Sequence, residues 1–242
     1  MTALPVLPQD DGPYFTLAAS PRPGGNTDAA ARLFLEGFSR ASGEEERTPA
    51  PFLNAGNERA PEPVYLRSHR IDPCVSCNAC AHAARNMHSC DLAKAGASGP
   101  GPSLHFGCPL TARDDSAPLL CRLAKAVGLC IIAPIYFYHL PAALKALVDR
   151  MQPFWALRDA GISCYSGQKP RTCHVILLAA RPRGNKLFEG SLLTLKYALE
   201  PLNIRLAEPL LLHGLDNPSD LLGQPEAMRS VVAYGEEAGK QF

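Results

Sequence analysis

The sequence predicts an α/β fold, a doubly wound five-stranded parallel sheet with helices on both faces and a cysteine-bearing insertion. Two observations predict it. Runs such as LCIIAP and TCHVILLAA are too uniformly apolar to have a wet face, so they read as strands buried on both sides. Segments with apolar residues at helical spacing separate them. No internal repeat or low-complexity linker divides the chain. Residues 1–242 are therefore expected to form one domain, with the insertion at 72–110 and a helical extension at 217–242.

Tyr14 to Ala19 forms the first predicted strand and ends in the turn SPRPGGN. A helix follows, because Ala31, Phe34, Leu35 and Phe38 repeat at its period. Residues 41–62, charged and rich in Pro, Gly and Glu, read as a surface loop, and Val64 to Leu66 as a second short strand. Residues 91–107 read as another irregular loop. DDSAPLLCRLAKAVG has an Asp cap, an early Pro, apolar Leu120, Leu123, Ala124 and Val127, and a stopping Gly128, which together predict a helix. LCIIAPIYF is the third strand, ending at Pro134, and Pro141 opens a helix with Leu144, Leu147, Val148 and Met151 inward. TCHVILLAA supplies the fourth strand, Leu187 to Leu202 a helix, and IRLAEPLLL the last strand. A C-terminal helix starts near Pro225.

A net charge of +1 offers no electrostatic case for nucleic acid or an anionic membrane. No stretch reaches the length of a transmembrane helix, and the N-terminus lacks the grammar of a signal peptide. Nine cysteines without an export signal point to a reducing cytoplasm, where close spacing means metal more often than disulfides.

In an open parallel sheet, ligands bind beyond the carboxyl ends of the strands at the switch point of strand order. Three turns leave strands at that edge. Ser20 to Thr27 joins short polar side chains, two glycines and Arg22 to a helix start, which suits a phosphate or is an ordinary well-capped turn. Neither the Walker loop nor the GxGxxG fingerprint is present. Ala133 to His139 carries three aromatics, which would pack against a flat ring or plug a core or subunit contact. Ala180 to Asn185 closes over the same ligand or is a basic surface turn.

Cys74, Cys77 and Cys80 follow one another at two-residue gaps in IDPCVSCNAC. Three thiolates from one loop wrap three corners of a 4Fe-4S cube, with Cys90 or Cys108 as the fourth. Zinc, with His82 or His88 added, is the alternative. Cys121, Cys130, Cys164 and Cys173 lack partner spacing and read as packed thiols. Trp155 reads as a core or dimer-contact aromatic.

The segments ASPRPGGNT, PCVSCNAC, CPLTARDD and APIYFYHLPAALKALVDR, in that order, resemble the flavodoxin-like NAD(P)H-dependent FMN reductases, and within them the iron–sulfur flavoprotein branch. The resemblance covers residues 14–184, and DLLGQPEAMRSVVAYGEEAGK fits the closing helix; Ala19 stands where the family more often has Gly. It implies a flavodoxin-like fold and bound FMN, with Ser20, Arg22, Gly25, Asn26 and Thr27 at the phosphate. Pro134, Ile135, Tyr136 and Phe137 would then border the isoalloxazine, and Arg181 and Gly184 its far edge. Lys145, Asp149 and Arg150 also match, and are read as ion-pairing residues. The resemblance further implies a 4Fe-4S cluster on Cys74, Cys77, Cys80 and, by register before the DD pair, Cys108. The family's last two cysteines stand close together, whereas here 27 residues intervene.

Implied partners are NAD(P)H as donor, a small-molecule or protein electron partner, and a second copy of the chain in a homodimer or homotetramer. No general acid or base is named, because the cofactor carries the redox chemistry. Two other functions remain open: a cluster-free NAD(P)H-dependent FMN, quinone or azo-type reductase, and a non-catalytic flavodoxin-like module with structural zinc.

Overall fold

The computed structural model describes residues 14–43, 62–86, 108–162, 165 and 167–242. The strands are β1 (Phe15–Ala18), β2 (Val64–Tyr65), β3 (Leu129–Pro134), β4 (Arg171–Leu178), β5 (Ile204–Leu206) and β6 (Leu210–Leu212). All pairs are parallel and the order is β2-β1-β3-β4-β5, with β6 also on β4. The chain leaves β1 toward β2 on one side and returns to β3 on the other, so strand order reverses between β1 and β3. The helices are α1 (Asn26–Ser42), α2 (Ala79–Arg85), α3 (Ser116–Lys125), α4 (Ala142–Asp149), α5 (Gln152–Asp159), α6 (Glu189–Leu199) and α7 (Pro225–Lys240).

Side chains alternate across the sheet. Leu17, Ile131, Val175 and Leu177 enter one core with Leu123, Leu144, Phe154 and Leu195 from α3 to α6. Ala18, Ile132, Ile176 and Leu178 enter the other, with Phe34 and Phe38 of α1 and Val231 of α7. Both faces are covered, which is why the central strands are mostly apolar. Cys130 and Cys173 are fully buried, and burial pushes both thiols up, so they are packed and inert as expected. His174, also buried, has its pKa lowered by desolvation, and its Nδ1 lies 2.9 Å from the Tyr14 hydroxyl. Among the described residues, no helix is long and apolar enough to cross a membrane.

Two elements differ from expectation. The last strand is two pieces: Leu206 lies opposite Cys173 and Leu210 opposite Ile176, so the edge takes four steps where β4 takes three. The extra residue makes a bulge at Ala207–Pro209, where Pro209 has no N–H for a ladder. Tyr234 of α7 repairs the gap. Its hydroxyl accepts the Val175 N–H at 3.1 Å and donates to the Glu208 carbonyl at 2.8 Å. Tyr234→Phe leaves the part-buried Val175 N–H unpaired and is expected to lower stability by about 1–3 kcal/mol, read as a shift in the urea midpoint. The second difference is at Met151, expected on the inner face of the helix that Pro141 opens: that helix ends at Asp149, and α5 follows as a separate helix. Arg150 and Met151 leave the helix and Pro153 lies in the first turn of α5, the local signal for a break that the apolar periodicity ran across. The expected loops at 41–62 and 91–107 fall largely outside the described residues, as do Cys90, His88 and Cys164.

Candidate cofactor site

The first turn is folded by its own side chains. The Ser20 Oγ accepts the Arg22 N–H at 3.2 Å, and Gly24, at φ +70°, takes the left-handed conformation that glycine allows. Gly25 enters α1 from an extended conformation and no side chain caps the helix. The amides of the first turn therefore keep their donors and their partial positive charge for an anion. Asp28 sits in that same turn, where its charge would oppose one. Arg67 holds its carboxylate bidentately at 2.8 and 2.9 Å, and the Gly24 N–H donates to it at 2.7 Å. Paired this way, Asp28 sets the turn's shape with its charge offset, and exposed Arg22 remains as the fixed cation.

Asn26 serves the site differently from what its position suggests. Its Nδ2 donates to the Leu215 and Asn217 carbonyls at 3.3 and 2.8 Å, and its Oδ1 accepts the Leu221 N–H at 3.0 Å. The side chain is engaged on both ends, so it ties the turn to residues 215–221 rather than reaching a ligand. Ser20 and Thr27 are buried beside it.

The second turn follows β3. Tyr136 and His139 exchange backbone hydrogen bonds of 2.9 and 3.0 Å around Phe137 and Tyr138, whose φ values are +49° and +64°. A two-residue turn with both central residues left-handed normally takes Asn or Gly. Two aromatics there store strain of the kind found at ligand clamps, and Phe137 is fully exposed. The third turn meets the second. The Arg181 guanidinium lies 5.8 Å from the Tyr138 ring centroid, and a side chain at Gly184 would begin 3.3 Å from the Tyr138 hydroxyl. The Ile135 N–H donates to Leu178 O at 2.8 Å, and the Ala19 N–H to Ile132 O at 2.8 Å. All three turns thus stand side by side at the carboxyl edge, at the reversal between β1 and β3 and the strand next to it.

A groove between α1 and α7, lined by Leu33, Arg40, Met228 and Val232, and a cavity at the amino edge of the sheet, lined by Tyr14, Gly128, Thr172 and His174, hold none of these turn residues. We place the site by the turns, because helix-terminus donors and strand ends make the chemistry there.

Cys74 and Cys77 are exposed, and Cys80 and Cys108 are half-buried. Ser76 and Asn78 are both left-handed, and the Ser76 N–H reaches Cys74 Sγ at 3.5 Å. Burial first, and then the nearby Cys108 and Cys74, push the Cys80 thiol up, while the Ala81 and Cys80 amides act the other way. A loop that turns its N–H groups toward sulfur has the donor chemistry for a thiolate-bound group. Among the described residues, no three His, Cys, Asp or Glu side chains gather closely enough to hold an ion.

Behind this loop lies a buried ion pair of Arg150 and Asp114. Asp114 accepts the Asp72 N–H at 2.9 Å, the Ser116 N–H at 3.1 Å and the Ser116 hydroxyl at 2.6 Å. Burial alone would raise its pKa, but these bonds and Arg150 outweigh it and hold the carboxyl below its usual value. Lys145 pairs with Asp149 at 2.7 Å, so all three residues of that helix end are ion-paired as expected. Sequence reasoning missed Asp28, Arg67 and Asp114. Their local signals are an acid in a helix's first turn and the DD pair.

The description of the NADPH-dependent FMN reductase family matches residues 14–174, more than half of the chain. The chain belongs to that family. Its fold agrees: an azoreductase from Bacillus anthracis strain Sterne superposes with a TM-score of 0.54 at 11% identity, over 96% of this chain and 100% of that one. An FMN-dependent NADH-azoreductase from Bacillus anthracis strain Ames Ancestor, in complex with FMN, gives 0.51 at 15% identity, over 95% and 98%. At such identities these structures speak to the fold alone. An iron–sulfur flavoprotein of Methanocaldococcus jannaschii is 26% identical over 137 residues, 57% of this chain. The match spans only 50% of that protein's length. For an FMN reductase the uncapped α1 terminus, the paired Asp28 and the aromatic turn fit a flavin phosphate and ring.

Proposed function

We propose that this chain is an FMN-dependent oxidoreductase whose flavin exchanges electrons with NAD(P)H and with a 4Fe-4S cluster held by Cys74, Cys77, Cys80 and Cys108. The observation that carries the reading is the meeting of the uncapped α1 terminus with the strained aromatic turn at the β1/β3 reversal. In it, Ser20, Arg22, Gly25, Thr27 and the Asn26 main-chain amide hold the phosphate. Pro134, Ile135, Tyr136 and Phe137 border the ring on one side, and Arg181 and Gly184 on the other. FMN, when bound, supplies both hydride and single-electron chemistry. The protein's part is to fix the phosphate, keep the ring against the turns and present the cysteines. Support for Cys108 as fourth ligand is its register before the Asp114–Asp115 pair, where the resemblance places the last cluster cysteine. A small molecule or a protein takes the electrons onward.

Visible spectra with iron and acid-labile sulfide analysis of anaerobically purified protein test this. Flavin with both supports it, and absence of flavin sinks it. Cys108→Ser is expected to abolish iron binding while Cys90→Ser retains it. Arg22→Ala is expected to weaken FMN binding by roughly 10- to 150-fold, the loss of one charge-assisted hydrogen bond, with riboflavin binding unchanged in flavin-fluorescence titrations. A second reading, a cluster-free reductase of planar organic acceptors, is favoured by the exposure of Phe137 at the mouth of the site. Flavin without iron supports that one.

A further inference from the structure

We propose that Arg150 is a positioning residue for the cysteine site, aiming Cys108 and raising the reduction potential of the group the cysteines hold. This rests on the cluster reading above. Arg150 follows α4 and is almost wholly buried. Its Nη1 donates to the Asp114 carboxylate and, at 3.1 Å, to the Asp72 carbonyl. Its Nη2 donates to Cys108 Sγ at 3.4 Å.

An ion pair with Asp114 would satisfy the fold with one arm of the guanidinium. The other arm is spent on sulfur, and only a planar fork reaches both. The surroundings are stiff. Asp72 stands two residues before Cys74, and its N–H is held by the same Asp114 carboxylate. Arg70 and Asp115 exchange a further pair of bonds, with the Arg70 N–H donating to the Asp115 carboxylate at 2.8 Å and the Asp115 N–H to Arg70 O at 2.9 Å. The strand of chain entering the cysteine loop and the one leaving Cys108 are thereby stapled together, with Arg150 between them. An N–H donor and a fixed positive charge at a ligand sulfur favour the electron-richer state of whatever the sulfur binds, which moves the potential upward. Such outer partners also govern how firmly the group is held.

The test uses the full chain, anaerobically purified, with wild type, Arg150→Lys, Arg150→Gln and the double variant D114N/R150Q. Lysine keeps the charge beside Asp114 but cannot bridge to sulfur with a second arm. The double variant removes both buried charges should Arg150→Gln fail to fold. Read-outs are retained FMN, iron and sulfide content, the midpoint potential of the iron–sulfur signal, and the rate of iron loss to a chelator. In folded, FMN-retaining Arg150→Lys, the midpoint is expected to fall and iron loss to quicken by about 10- to 100-fold. The double variant should show the same pattern. An unchanged midpoint and loss rate in either folded variant overturns the proposal while leaving the cluster reading intact. A wild type that binds FMN but no iron, even after reconstitution with iron and sulfide, overturns the cluster reading, and this proposal with it.

Discussion

Asp114→Ala is expected to destabilise the protein by about 3–5 kcal/mol, among the largest single-site losses the fold offers. The substitution strands the buried Arg150 guanidinium without its counter-charge and frees the Asp72 and Ser116 donors at once. Equilibrium urea unfolding at neutral pH measures it. The effect depends on pH in a defined direction. The folded carboxyl titrates below its unfolded value, so the unfolded state binds the proton first as pH falls. Its contribution is complete above the unfolded carboxylate pKa of about 3.9 and is lost as pH drops through the lower folded value. Wild type and Asp114→Ala should therefore converge in acid. A constant gap between them from neutral to strongly acidic pH would show that the charge of Asp114 is not what stabilises the fold.

Gly235→Ala is expected to cost about 3 kcal/mol or more, lowering the melting temperature by roughly 6–12 °C. A Cβ at Gly235 would lie 2.0 Å from the Phe34 carbonyl oxygen, and one at Gly37 2.0 Å from that of Val232. Both obstacles are backbone, so neither can rotate aside. The two helices must separate, and with them Phe34, Phe38 and Val231, which cover one face of the sheet. Gly223→Ala, whose Cβ would meet only ordinary contacts at 3.5 Å and beyond, serves as the mild control. Equal melting points for the two variants would count against close helix apposition.

The elements were legible in the residues because they rest on local physics. TCHVILLAA has no polar face to offer water, and SPRPGGNT cannot continue a strand, so a buried strand and a turn follow from short windows. The three turns at strand ends and the spacing of Cys74, Cys77 and Cys80 are legible for the same reason. The bulge at Ala207–Pro209 was harder. Its one sign is Pro209, and an apolar edge strand looks alike with or without an extra residue.

The cap before α3 shows how far local grammar goes. An acidic cap is visible in DDSAP, and Asp115 does hold the cap position. It is Asp114 that bonds Ser116, while Asp115 reaches back to Arg70.

By itself, then, the sequence determined a doubly wound sheet, the carboxyl-edge turns and a thiolate-rich loop, since periodicity and turn chemistry act within a few residues. Only the tertiary structure decided that Asn26 binds residues 215–221, that Tyr234 completes the broken edge of the sheet, and that Arg150 reaches Cys108. Each of those contacts joins groups 26 to 195 residues apart along the chain. A hydrogen-bond donor carries no local mark of a distant partner; the partner is chosen when packing brings the two together in the dry interior.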